Sequence, residues 1–236
     1  MLARTEDTRR TSITARLAGR EVILDMVGAL VDPEASMLVV SDLHLEKGSS
    51  YARRGSMLPP YDTMATLARL GALLARHDPA IVISLGDSFH DGEGAARLAE
   101  PARAALAAMM AGRQWLWVAG NHDPEPPSGL GGDCVAEVAV GGLRFRHEPS
   151  KDGRDGEVAG HLHPGARIVR RGRAVRRACF ASDGRRLIMP AFGAYTGMLN
   201  VMDRAYRGLF DWPEFRAHLL GRERIYTIAG AQLRPG

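Results

Sequence analysis

The chain has 236 residues, 45% of them hydrophobic, and a formal net charge of +4. That length suits one α/β domain and that apolar content fills a core, while no run approaches the ~18 apolar residues of a membrane span. The charge is too modest to establish a nucleic-acid partner, and the N-terminus, with Glu6 and Asp7 among its arginines, lacks the apolar stretch of a signal peptide. Cys134 and Cys179 lack metal spacing and read as reduced thiols of a cytoplasmic protein.

In chain order, residues 1–16 are polar and read as a flexible lead, ahead of a single domain over 17–236. Glu21–Leu24 reads as a first strand. Met37–Ser41 is an apolar run expected to form a buried strand, and Thr63–Arg76 carries Met64, Leu67, Leu70 and Leu74 at helical spacing. Ala80–Leu85 is a second buried strand. Gly94–Met110 is Ala-rich and predicted helical, with a kink or break near Pro101. Trp115–Ala119 is a third buried strand, and Pro124–Gly132 a Pro/Gly loop. Val135–Val140 alternates, then Gly141-Gly142 turns into Leu143–Arg146, a hairpin signal. Further strands are expected at 167–171, 177–182 and 185–189, with turns at Gly172 and Gly184, and a last one at Tyr226–Ala229.

Five short motifs punctuate these elements: Asp42-Leu43-His44, Gly86-Asp87, Gly120-Asn121-His122-Asp123, a lone His147 and Gly160-His161-Leu162-His163. Three directly follow buried strands, and polar groups at the strand ends of an α/β sheet line the usual ligand crevice. Residues at i and i+2 of an extended chain project to one side, so Asp42 with His44, and His161 with His163, are each expected to aim at one point. Gly86, Gly120 and Gly160 fit turns where backbone approaches closely or takes a positive φ. Alone, each motif has a bland reading: a solvated loop for the DxH, a turn for the Gly-Asp, a helix cap for the Asn-His-Asp. Together they supply two carboxylates, one amide and four imidazoles, enough to hold two divalent ions, and a spare histidine. The nitrogen and oxygen donors suit manganese, iron or zinc. No cysteine lies beside a motif, so nothing signals a covalent nucleophile. His77 and His218 lie outside the set, placed near a helix end and on an amphipathic C-terminal segment; His90, three residues after Asp87, is a weaker candidate for facing the site.

This motif order, DxH, GD, GNHD, H and GHxH, resembles the calcineurin-like metallophosphoesterase superfamily over roughly residues 37–193. At finer grain, Ser41–Gly48, Leu58–Thr63, Gly86–Asp91, His147–Pro149, Gly160–Pro164 and Pro190–Gly197 resemble the ligase-associated DNA damage response endonuclease PdeM group. The resemblance implies a four-layer α/β/β/α sandwich of two mixed sheets flanked by helices. It also implies two metals, manganese first among them, one held by Asp42, His44, Asp87 and His163 and the other by Asp87, Asn121, His147 and His161, with Asp87 as the bridge. His122 then faces the substrate and protonates the leaving oxygen or stabilises charge there, and Asp123 is placed to orient it by a hydrogen bond. Asn121, Arg53, Arg54 and His90, with Lys47, are candidate substrate contacts.

Six arginines fall between Arg167 and Arg177. They read either as a solvated hairpin or as a phosphate-contacting rim for DNA; no aromatic residue interleaves with them, so base stacking is not indicated. The expected function is a metal-dependent phosphoesterase, a DNA endonuclease or phosphodiesterase acting with DNA ligase or helicase repair partners. The alternatives are a small-metabolite phosphatase or phosphodiesterase, and a metallophosphoesterase-like scaffold that has lost catalysis.

Overall fold

The computed structural model describes residues 11–56, 58–125, 127, 129–152 and 155–236. Residues 1–10 of the expected flexible lead lie outside the described residues. Its remainder does not behave as a lead: β1 (Ser12–Leu17) pairs antiparallel with β2 (Arg20–Asp25), Ile13 opposite Leu24 and Ala15 opposite Val22. The alternation of Ile13, Ala15 and Leu17 with polar residues gives this segment one face to bury.

The first sheet continues through β3 (Leu30–Asp32), β4 (Met37–Val40), β5 (Ile81–Leu85), β6 (Gln114–Val118) and β7 (Asp133–Val135), hydrogen-bonded in sequence order. β4 to β7 run parallel. The crossover after β4 carries α1 (Lys47–Arg53) and α2 (Asp62–His77); the next carries α3 (Gly94–Arg97) and α4 (Glu100–Met110). The helix expected over Gly94–Met110 is therefore two. Ala99 is extended (φ −62°, ψ 148°), and Pro101 lies in the first turn of α4, where its missing N–H leaves no hydrogen bond unmade. In α2 the buried stripe is Leu67, Leu70, Leu73 and Leu74, with Met64 left exposed.

The second sheet holds nine strands: β8 (Glu137–Val140), β9 (Leu143–Arg146), β10 (Glu157–Ala159), β11 (Pro164–Arg170), β12 (Arg173–Ser182), β13 (Arg186–Ile188), β14 (Leu199–Asn200), β15 (Arg216–Leu220) and β16 (Ile225–Ala229). Its order is β14-β11-β12-β13-β10-β9-β8, with β15 pairing β12 and β16 pairing β15. The expected Val135–Val140 strand is divided at Ala136: β7 closes the first sheet and β8 opens the second. Period-two alternation holds on both sides of that crossing, so the pattern could not register the change of sheet. The Gly141-Gly142 hairpin forms as expected. Both residues have positive φ, as a two-residue turn with the twist of the flanking strands requires. His218 lies on strand β15 and His77 ends α2.

The two sheets pack face to face. Val39, Ile83, Leu85, Leu116 and Val118 of the first meet Phe145, Val158, Phe180 and Leu187 of the second. A fully buried side chain of this size contributes about 1.5–3 kcal/mol. The other face of the first sheet, Leu38, Val40, Val82, Trp115 and Trp117, is covered by Leu67, Leu70, Leu74 and Leu106 of α2 and α4. Two mixed sheets flanked by helices is the architecture that the family resemblance implies. On the outer face of the second sheet the covering residues are Val201, Tyr206, Phe215 and Leu233, from loops and short 3₁₀ turns at Arg204–Tyr206 and Gly230–Gln232.

Candidate metal centre

Every motif sits just beyond a strand at one end of the sandwich. Asp42 and His44 follow β4, Asp87 and His90 follow β5, and Asn121, His122 and Asp123 follow β6. From the second sheet, β9 delivers His147, and His161 and His163 lie between β10 and β11. β4, β5 and β6 are parallel, as are β9 and β10, so their C-terminal ends converge on one crevice.

The ligand pairs do not reach it by extended chain. Asp42 (φ 52°), His44 (φ 43°), Asp87 (φ 45°), His161 (φ 67°) and His163 (φ 46°) are all left-handed. Asp and His are among the few residues that tolerate this region. The turn glycines behave as expected. A Cβ on Gly86 would run into the His147 ring, and one on Gly120 into Asp87 and Asp123, so each allows two motifs to close on one another.

Two clusters of ligand atoms result, each lying within 4.8 Å: Asp42, His44 and His163 in one, Asp87, His147 and His161 in the other. In the first, His44 Nε2 is 3.3 Å from His163 Nε2, which is 3.2 Å from Asp42 Oδ1. In the second, Asn121 Oδ1 lies 2.8 Å from His147 Nε2 and 2.9 Å from His161 Nδ1, and these nitrogens are 3.2 Å apart. Asp87 reaches both clusters, its Oδ1 3.4 Å from His147 Nε2 and its Oδ2 4.0 Å from His44 Nε2. His147 Nδ1 faces the Leu85 carbonyl at 3.1 Å, which assigns that nitrogen the hydrogen and turns the Nε2 lone pair toward Asn121 and Asp87. Nitrogen and oxygen lone pairs that converge this closely repel unless positive charge lies among them. The donor set therefore fits a divalent cation in each cluster.

Burial and neighbouring charge also shift how these groups titrate. Burial raises the pKa of Asp87, but the His147 hydrogen bond and charge and the N–H of His122, at 2.9 Å, outweigh it and hold the carboxyl at about 2. Burial alone would lower His147, yet Asp87 and Asp42 raise it to about 9. Burial brings His44 down to about 4 against the pull of Asp42 and Asp87. Asp42 is completely buried and fixed by the Ser41 hydroxyl at 2.5 Å and the N–H of His161 at 3.1 Å, two contacts its motif does not announce.

His122 is half-exposed at the mouth. Its Nδ1–H donates to the His90 carbonyl at 2.9 Å, its ring stacks on the His90 ring at 5.4 Å, and its Nε2 lies 3.9 Å from Asp87 Oδ2. Asp123 does not orient it. The Asp123 carboxylate accepts the backbone N–H of Phe89, at 3.0 Å, and that of Ser88, and burial pushes its pKa up to about 7. The strand-end turn directs the Asp123 side chain inward under Phe89, so the group holding the His122 ring is a backbone carbonyl invisible to motif reading. His90 itself backs His122 and lies edge-on to His44 at 5.5 Å. Arg53 is ion-paired with Glu93 and Arg54 is exposed; both line a cleft beside the centre. The expected arginine hairpin is β11–β12, with Arg167 opposite Arg176 and Arg170 opposite Arg173. Among the described residues none of its arginines meets a carboxylate. Arg167 and Arg176 instead donate to the Pro235 and Met198 carbonyls. No described helix is long and apolar enough to cross a membrane.

A sandwich with paired ligand clusters at its strand ends defines a metal-dependent phosphoesterase. The family model for calcineurin-like phosphoesterases matches residues 35–179, and the chain belongs to that family. Among solved structures it is similar to Pseudomonas putida nuclease MPE, with a TM-score of 0.70 and 29% identity over 92% of this chain and 100% of that one. The E. coli phosphoesterase YfcE matches at a TM-score of 0.39 and 14% identity, over 82% of this chain and 98% of that one. No curated protein sequence matches this chain significantly.

Proposed function

We propose that this metallophosphoesterase is a two-metal DNA phosphodiesterase, an endonuclease acting in repair alongside a DNA ligase or helicase. The observation that carries the reading is the pair of ligand clusters joined through Asp87. Asp42, His44, Asp87 and His163 would hold one ion, and Asp87, Asn121, His147 and His161 the other. Manganese is the proposed metal, with iron or zinc compatible with the same donors. Bound there, two divalent ions supply positive charge for the phosphate and acidify a water. The remaining work belongs to side chains. His122 holds a proton on Nε2 and gives it to the leaving oxygen, while the His90 carbonyl and ring keep the imidazole aimed. Ser41 and the His161 N–H hold Asp42 in place. DNA as substrate is supported by the likeness to a nuclease over nearly the whole chain.

The test is a matrix of metals against substrates: plasmid and oligonucleotide DNA, a nucleotide panel and an aryl phosphodiester. Manganese-dependent DNA cleavage is expected. Turnover of nucleotides without DNA cleavage would instead favour a small-metabolite enzyme, and no turnover of any ester with any metal would favour a non-catalytic scaffold.

A further inference from the structure

Two clefts flank the ligand clusters, and their charge differs. One, about 390 Å³, is lined by Ser50, Arg53, Arg54, Asp91, Gly92 and Glu93. Most of its charges are consumed internally: Arg53 pairs with Glu93, and Asp91 takes both guanidinium nitrogens of Arg97 at 2.8 Å, which leaves Arg54 as its one lining cation without a carboxylate partner among the described residues. The other, about 480 Å³, opens beside His161 and Leu162 and carries Lys151, Arg204 and Arg207. All three are exposed, and among the described residues none has a carboxylate partner. Glu148 is the one acidic side chain on this lining.

The walls of this second cleft are fastened from beneath. Arg186, 2% exposed, donates to the Leu209 carbonyl at 3.0 Å on one wall and to the Ser150 carbonyl at 2.8 Å on the other. Its charge is balanced by fully buried Glu157, with Nε 3.0 Å from Oε1, and Glu157 also accepts the Ser150 N–H at 3.1 Å. The Tyr206 hydroxyl, between Arg204 and Arg207, donates to the Leu162 carbonyl at 2.9 Å inside the GHxH motif. Asp203 caps the 3₁₀ turn that bears Arg204. A buried ion pair and a buried phenol thus fix the backbone that carries three solvated cations next to a metal-ligand loop. Unpaired cations gathered beside a reaction centre favour a second anionic group on the same substrate.

We propose that Lys151, Arg204 and Arg207 form a subsite for a phosphate diester neighbouring the scissile one on a polynucleotide strand. This rests on the DNA reading above and adds to it where the strand leaves the centre. A mononucleotide or small aryl diester has no second diester and gains nothing from the subsite.

The test is the triple variant Lys151→Gln, Arg204→Gln, Arg207→Gln. DNA binding is measured on EDTA-treated protein over a salt series, and turnover of an aryl phosphodiester and of an oligonucleotide is measured with metal. Three lost phosphate contacts should flatten the log–log salt dependence of binding by about 2 to 3 units. The oligonucleotide KM should rise with aryl-ester turnover unchanged. An unchanged salt slope and KM in a variant of a wild type that cleaves DNA would overturn the subsite alone. Equal losses on both substrates would overturn it too, by assigning these residues to the integrity of the centre. A wild type that hydrolyses the aryl diester but neither binds nor cuts DNA would remove the DNA reading and the subsite together.

Discussion

Replacing Arg186 by Met should destabilise the whole sandwich, by an amount the contacts around it define. The substitution deletes a buried cation and two hydrogen bonds to the Ser150 and Leu209 carbonyls, and leaves the fully buried Glu157 carboxylate behind. Breaking a buried pair from one side costs about 3–5 kcal/mol, because the remaining charge is uncompensated. Glu157 keeps the Ser150 N–H at 3.1 Å and has Arg146 at 3.9 Å, so the lower end, about 3 kcal/mol, applies. For a chain of this size each kcal/mol shifts Tm by roughly 2–4 °C, so a drop of about 6–12 °C is expected in thermal unfolding followed by circular dichroism. The double variant Arg186→Met, Glu157→Leu removes the stranded charge and should recover most of the loss, since a buried pair exchanged for apolar residues of similar volume is often neutral. A single variant melting within about 2 °C of the parent, or a double variant no better than the single, would refute this reasoning.

Three further outcomes follow, two from the centre and one from strand β15. Asp87→Asn should release more metal than any other single ligand change, because its carboxylate reaches both clusters; elemental analysis finding two ions per chain would remove the bridging role. His122→Ala should retain metal and lose about 10²–10⁴-fold in rate on an ester with a poor leaving group, with a smaller loss on a nitrophenyl ester. Equal losses on the two would replace proton donation by charge stabilisation. His218, whose pKa burial and then the Arg216 charge lower to about 4, binds its proton more tightly when unfolded, so its contribution to stability is complete above pH 6.5 and is lost as pH falls toward 4. Urea midpoints at pH 7.5 and 5 should therefore fall further for the parent than for His218→Gln; parallel declines would reject the assignment.

The motifs were legible because strand-end chemistry repeats: an apolar run followed by Asp, Asn or His is a local pattern, and three such runs became β4, β5 and β6. The two-residue turn at Gly141-Gly142 was equally local. What escaped depended on contacts distant in sequence. Adjacency pairs Asp123 with His122, whereas the ring is held by the carbonyl of His90, thirty-two positions away. The run at Val135–Val140 kept its alternation across a change of sheet. The lead read as polar because β1 has only three apolar positions, and its order comes from pairing with β2. Lys151, Arg204 and Arg207 belong to no motif; what gathers them is buried Arg186, which a linear reading takes for one more arginine on a strand.

Five of the seven proposed ligand positions hold a left-handed backbone on a residue other than glycine. Each such conformation costs of order 1–3 kcal/mol relative to a relaxed one. Glycine at any of them would relax the chain while deleting a ligand, so selection for stability and selection for activity pull these positions in opposite directions. A lineage released from the need to hydrolyse phosphate esters would be free to accept those substitutions early. The sandwich would then outlive its chemistry, and descendants with a sound core and an eroded crevice are the expected trace of that history.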